Sequence, residues 1–265
     1  MDKEKLKDAW ESVKDQGISA LAESDLLPAA IENVTETVLP EAASQILSSV
    51  VGFAAPRVTG AVMGYREARF ERRTKEAIEV LIRRIDDLEI QLATLSKETT
   101  EKFQGLYVEW LLDNIGDEKQ PEKVEYNVNA FINLMNDEAN DNLMLMFFQT
   151  INELTVLDIE VLKLYVMGTE DNIYTLCDRN HLEVEQVSVI KEKLARLGML
   201  HRKNDDIRDD NIDLITKYLE DVEKDNKRRT PKGVKAPKTK KPSRSETYSI
   251  TSLGRHFLNV ISSNE

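Results

Sequence analysis

Apolar positions along this chain recur mostly at helical spacing, three and four residues apart. Leu6, Trp10 and Val13 predict a short amphipathic helix over residues 3–15 that ends near Gly17, and Pro28 and Pro40 mark boundaries in the mixed stretch that follows. The strongest pattern is Ile78, Leu81, Ile85, Leu88, Leu92 and Leu95, spaced 3, 4, 3, 4, 3. It predicts one long helix over residues 66–103 with a heptad seam, packed against a partner helix of this chain or of a second copy. Glu79, Arg83, Arg84, Asp86, Asp87 and Glu89 fall between the seam positions, on what reads as a solvated face. Tyr107, Trp110, Leu111 and Ile115 predict a further helix, and Val124, Val128, Phe131, Ile132 and Met135 another. A third, Leu143 to Leu154, has Asp141-Asn142 as its cap and is apolar nearly all round, which predicts deep burial.

The C-terminal pattern is different. A helix over residues 155–165 would turn Leu157, Val161, Leu164 and Tyr165 inward, and a short helix covers Asn172 to Asp178. A third, over residues 183–197, has Val187, Ile190, Leu194 and Leu197 inward and Gly198 as its C-terminal cap. Strands follow at Met199–Arg202 and Tyr248–Thr251, and a helix closes the chain at Leu253–Ile261. Leu197-Gly198-Met199-Leu200 and Tyr248–Arg255 resemble two segments of the winged helix-turn-helix superfamily, which implies three helices, a two-stranded wing and a last helix over residues 154–265. The wing would carry an insertion at 203–246. Its first part is acidic, with Ile212, Ile215, Leu219 and Val222 spaced 3, 4, 3, and predicts a helix over 205–225. Its second part, 227–244, holds nine cations and no acid: Lys227, Arg228, Arg229, Lys232, Lys235, Lys238, Lys240, Lys241 and Arg244. With Pro231, Gly233, Pro237 and Pro242 among them, these residues predict a mobile loop able to contact a nucleic-acid backbone. Glu183 and Glu185 at the start of the preceding helix would repel phosphates where DNA-reading helices usually approach them.

Residues 43–65 are rich in small and apolar side chains and carry one charge, Arg57. Pro56 predicts a break in the middle. Gly60 and Gly64 form a GxxxG pair that, with Gly52, is a candidate for close helix association or for conditional insertion of a hairpin into a membrane.

Composition narrows the chemistry. The 265 residues carry a net charge of −12 with 41% hydrophobic and 32% charged residues, a globular balance whose acidity argues against nonspecific nucleic-acid binding over the whole surface. A single cysteine, Cys177, predicts no disulfide and no zinc cluster, and its expected role is burial. His181, His201 and His256 lack metal-ligand spacing, and the sequence contains no Walker loop, nucleophile elbow or dinucleotide fingerprint. The expectation is a cytoplasmic, non-enzymatic protein without cofactor, peripheral to the membrane if the small-residue hairpin inserts.

One further resemblance bears on role. A small-residue segment leads into the charged helix from Arg66 to Leu95, an acidic helical stretch follows, and then comes Asn152-Glu153-Leu154-Thr155-Val156-Leu157-Asp158. This order resembles the Abi-alpha family of bacterial proteins, with the Leu154–Asp158 segment carrying most of the likeness. It implies phage defence of the abortive-infection kind, or a prophage association, exercised through protein or membrane contacts. The alternative is a transcriptional regulator that binds DNA through the winged helix. The chain then reads as mainly α in three parts: an N-terminal segment 1–42, an Abi-alpha-like helical region 43–153 and a winged-helix domain 154–265 with a small β-wing.

Overall fold

The computed structural model describes residues 3–15, 17, 18, 20, 41–58, 64–136, 140–166 and 172–263. The protein is mainly helical with a small two-stranded antiparallel sheet. It divides into two compact units, residues 1–157 with 257–265, and residues 158–256.

The first unit contains α1 (Lys3–Val13), α2 (Glu41–Ala54), α3 (Tyr65–Arg83), α4 (Ile85–Leu92), α5 (Lys97–Gln104), α6 (Leu106–Asp117), α7 (Glu122–Asn133) and α8 (Asp141–Glu153). Its core gathers Ile46, Leu47 and Val50 of α2, Ile78 and Leu81 of α3, Phe103, Tyr107 and Leu111 of α5 and α6, Phe131 of α7 and Phe147 of α8. Phe103 meets Tyr107 and Phe131 edge-on, with ring centroids 4.7 and 5.3 Å apart. The fully buried aromatic side chains each contribute up to ~3 kcal/mol through burial.

The single long helix expected over residues 66–103 is three helices. Arg84 leaves helical geometry at φ −104°, ψ 23°, and Ser96 starts α5 by accepting the Thr99 amide on its hydroxyl. The heptad seam survives the bend: Ile78, Leu81, Ile85, Leu88 and Leu92 are all buried. α3 packs on α1, α2, α6 and α7, and α4 on α2 and α7, so the seam's partners lie within this chain.

Arg84 is also not on a solvated face. It is buried, and its guanidinium donates to Asn129 Oδ1 and Asn133 Oδ1, each at 2.9 Å, and to Asp87 Oδ2 at 2.8 Å. The two asparagines turn their amide nitrogens to the end of the last helix: Asn129 donates to the Ile261 carbonyl at 3.0 Å, and Asn133 to the Val260 and Ser262 carbonyls, each at 2.8 Å. These are carbonyls a helix C-terminus leaves without partners. Phe257 of the same helix stacks on Phe147, centroids 6.1 Å apart. A second buried polar group joins Lys123 Nζ to Glu118 Oε2 at 2.6 Å; Glu118 Oε1 accepts the Lys119 and Gln120 amides, so both charges are satisfied.

Two smaller expectations change. α8 is capped by Asn140, whose side chain accepts the Asn142 amide, while Asp141 instead takes the Tyr107 hydroxyl and the Lys102 ammonium. Those two bonds lower the Asp141 pKa, and burial with the same contact raises that of Tyr107. Nor is α8 buried all round: Met144, Phe147, Phe148 and Ile151 face the core while Met146 is exposed.

The second unit holds α9 (Val156–Lys163) from Asp158 onward, α10 (Ile173–Asn180), α11 (Val184–Arg196), β1 (Leu200–Arg202), α12 (Lys203–Asn226), β2 (Tyr248–Ile250) and the first turn of α13 (Ser252–Ile261). α9 is rotated from the expected register: Asp158, Ile159, Val161 and Leu162 are buried, and Leu157, Leu164 and Tyr165 only half-buried. Burial of Asp158 is offset by an ion pair with Lys193 of α11 at 2.7 Å. Burial pushes the Tyr165 phenol up to about 12. Asn172 caps α10 by accepting the Tyr174 and Thr175 amides, and Cys177 is buried. α11 ends in a Schellman turn, with Met199 N bonded to Leu194 O, Gly198 N to Ala195 O, and Gly198 at φ +74°. β1 and β2 then pair antiparallel, Leu200 opposite Ile250 and Arg202 opposite Tyr248.

Candidate nucleic-acid interface

All nine cations singled out in the sequence lie in one structural feature, formed by α12 and the segment that returns from it to β2. α12 spans the expected inserted helix and carries nine carboxylates against four cations. The returning residues, 227–247, form neither helix nor strand, yet their backbone is tied along the helix. Asn211 donates from Nδ2 to the Lys240 carbonyl at 2.7 Å and accepts the Lys240 amide on Oδ1 at 2.8 Å. Asn204 does the same to Ser243, at 3.0 and 2.8 Å. A carboxamide offers a donor and an acceptor side by side, so each asparagine satisfies both main-chain groups of one residue. At the far end of α12 the buried Asp225 accepts the Lys232 and Gly233 amides at 2.9 and 2.7 Å, with Gly233 in the left-handed region at φ +79°. These two backbone bonds hold the Asp225 carboxyl below its ordinary value.

The register of this pairing is a matching of two periods. Asn204 and Asn211 are seven residues apart, about 10.5 Å along a helix, while Ser243 and Lys240 are three apart, about 9.3 Å in an extended chain with three residues per turn. Over the full length, Asn204 to Asp225 spans about 31.5 Å and Ser243 back to Gly233 about 31 Å on the same rises. Between Asn204 and Asn211, two helical turns thus meet one turn of the extended chain. Every third residue of the return faces α12: Val234 and Pro237 are half-buried, Lys240 and Ser243 are bonded through their backbones, and Glu246 accepts the Asn204 amide.

That same period sorts the cations. Arg229, Lys232, Lys235, Lys238, Lys241 and Arg244 stand at every third position, all exposed, and none has an ion-pair partner among the described residues. The other three are neutralised within the feature, Lys227 by Glu223, Arg228 by Asp225 and Lys240 by Asp210. The expected loop thus runs along α12 and presents six free charges about 9 Å apart. Their spacing is plain in the sequence but belongs to neither the helical nor the strand period.

The neighbouring surface is different. The groove between α11 and β1 is lined by Val189, Glu192, Arg196, His201, Arg202 and Asp205. Within it Arg202 pairs with Glu192, and His201 Nε2 shares a hydrogen bond with Asp206. Tyr248 donates to Glu192, and burial together with that contact raises the phenol's pKa. Glu183 and Glu185 are exposed at the start of α11.

Of the three glycines that are candidates for a helix contact, Gly52 and Gly64 are among the described residues. Gly52 lies on α2 where an added Cβ would meet nothing within 4 Å. Gly64 is the extended residue before α3, and Gly60 lies outside the described residues. Pro56 breaks the chain as expected, in a short 3₁₀ turn at Ala55–Arg57 after α2. Among the described residues no helix is long and apolar enough to cross a membrane, and no group of acidic, histidine or cysteine side chains is placed to hold a metal ion. No protein-family model matches the chain, and neither does any curated protein or solved structure.

Proposed function

We propose that this chain is a non-enzymatic binding protein that holds nucleic acid by its phosphate backbone, without reading sequence, through a winged helix-turn-helix whose wing is enlarged into a cationic arm. The fold reading draws on the order α9, α10, α11, β1, β2, α13, and on the tight junction between the two resembling segments. Thr251 bonds the Gly198 and Met199 carbonyls, at 2.7 and 3.1 Å, where the wing strands meet the end of α11. The role in phage defence rests on the resemblance around Leu154–Asp158, and with it goes a cytoplasmic setting. The observation that carries the binding reading is the row of six unpaired cations held at every third position. A fixed row releases counterions from several phosphates at once, whereas the start of α11 presents the carboxylates of Glu183 and Glu185.

Fluorescence anisotropy with duplexes of unrelated sequence tests the binding. Affinity should be equal across sequences and fall steeply between about 50 and 200 mM salt. It should be lost when all six free cations become Gln. Absence of salt-sensitive binding, or binding indifferent to those changes, overturns the reading. A marked preference for one duplex that survives physiological salt would move the protein to sequence-specific regulation. Phage challenge of expressing cells tests the defence role, and unchanged plaque numbers across a broad panel would remove it.

A further inference from the structure

Three arginines packed on the first unit have their acceptors. Arg57 donates to Asp113 Oδ1 at 2.7 Å and stacks over the Phe70 ring, Arg73 donates to Glu76 Oε2 at 2.7 Å, and Arg84 holds Asn129, Asn133 and Asp87. Arg69 of α3 differs. Its side chain is only 15% exposed, yet none of the described residues accepts a hydrogen bond from it, and its Nε is buried. The one carboxylate within 4 Å is that of Asp117, 3.9 Å away and itself 98% exposed. A guanidinium carries five donors and stays charged, so burying one without acceptors is costly. Arg69 borders a cavity of about 230 Å³ between the turn at Ala55–Arg57, the start of α3 and the end of α6. Arg66, one turn earlier on α3, lines the same cavity, is exposed, and has no partner among the described residues.

We propose that this cavity binds a small oxyanion, a phosphate group, held between Arg69 and Arg66. Long side chains on a helix lean toward its N-terminus, so both guanidinium groups reach toward the start of α3. Two planar forks can bond different oxygens of one tetrahedral anion, and such charge-assisted bonds are among the stronger ones in proteins. Three carboxylates line the same cavity, and each is accounted for. Asp113 is engaged by Arg57. Glu67 lies back over the helix start, its Oε2 2.6 Å from where a Cβ on Gly64 would stand, and offsets the partial positive charge there. Asp117 remains, at the solvent side, against two free arginines. The anion takes the place beside Arg69 for which Asp117 competes. The volume is below the roughly 300 Å³ at which pockets take drug-sized ligands. It suits inorganic phosphate, or the terminal phosphate of a monoester whose remainder stays outside. The site belongs to the first unit and does not depend on the reading of the cationic arm.

Magnetic resonance of the full chain tests the site, with inorganic phosphate replacing chloride at constant ionic strength. The Arg69 Nε–H signal and the amides of Tyr65 and Arg66 should shift and saturate, with a dissociation constant of about 1 mM. Arg69→Gln should weaken binding by more than about tenfold. Arg66→Gln, at an exposed position where the fold does not depend on the side chain, should weaken it by more than about threefold. Asp117→Asn removes the competing carboxylate and should tighten binding by up to about fivefold. The shifts should persist when the six free cations of the arm become Gln. No saturable shift up to about 50 mM phosphate, binding that both arginine variants leave intact, or loss of the shifts with the arm's cations would each overturn the proposal.

Discussion

Arg84 shows how one residue's meaning depends on distant chain. Its place between seam positions reads as solvated, because periodicity assigns charges to the outside. In the structure it is buried, because Asn129 and Asn133, 45 and 49 residues away, accept from it and are thereby aimed at the end of the last helix. No local pattern could show that. Arg84→Met should destabilise the first unit by about 3 kcal/mol, since the buried Asn129 oxygen and the half-buried Asn133 oxygen lose a charged donor together. Arg84→Lys should recover little, because an ammonium lacks the planar fork that reaches Asn129, Asn133 and Asp87 at once. Urea unfolding midpoints of the two variants check both. Asp225 gives a pH-dependent counterpart. Its folded value is lowered, so the stability it lends the arm is fully present above the ordinary aspartate value, about 3.9, and is lost as pH falls through the lowered value. The Lys232 and Gly233 amides should keep their hydrogen-exchange protection at pH 5 and lose it at the acid end of a titration. Asp225→Asn, which retains an acceptor oxygen but does not titrate, should keep protection at neutral pH and remove that acid loss.

At the level of elements, the helices were legible wherever apolar spacing was strong, and their interruptions were not. The seam runs unbroken through Arg84, so periodicity alone joins α3 to α4; the bend is backbone geometry that apolar spacing does not encode. The two glycines of the winged-helix-like segments carry readable reasons. Gly198 supplies the left-handed residue of the Schellman turn, whereas Gly254 sits so close to β1 that an added Cβ would lie 2.4 Å from the Met199 carbonyl oxygen. Gly254→Ala should therefore cost more than Gly198→Ala, about 2–3 kcal/mol from crowding against backbone compared with about 1 kcal/mol from the unfavourable φ. Thermal denaturation of both variants tests the order. The path of the return segment was hidden for a different cause. Its prolines and glycine indicate a loop, which it is, and its period of three belongs to neither helical nor strand spacing. Asn211→Leu keeps the size of the side chain but removes both bonds to Lys240. It should loosen the return by about 1–2 kcal/mol, seen as faster amide exchange at Lys240 while α12 stays protected.

For the molecule as a whole, charge arrangement and net charge make opposite forecasts. The chain carries −12 overall, yet residues 203–246 hold 13 cations against 10 acids, which leaves −15 on the rest. Bulk electrostatics would disfavour a polyanion, so the proposed binding would depend on cations gathered where a phosphate backbone can meet several at once. If the evenly spaced edge is the contact, each of its six residues is one unit of a row. Neutralising any one should lower the salt slope by about one, with similar effect at Lys232, Lys235 and Lys241. Neutralising Lys240, already paired with Asp210, should change the slope much less. The sharper test conserves composition. Exchanging Lys238 and Ala236 moves one cation off the every-third-residue edge and leaves every charge total the same. An ordered edge predicts the slope falls by about one, as for outright removal of that lysine. A flexible basic loop predicts no change, because a mobile charge reaches a phosphate from either position. Salt-titrated anisotropy on one duplex, comparing the unaltered chain, Lys238→Gln and the exchanged variant, separates the two. Equal slopes for the unaltered and exchanged proteins would show that the charge of the arm matters and its order does not.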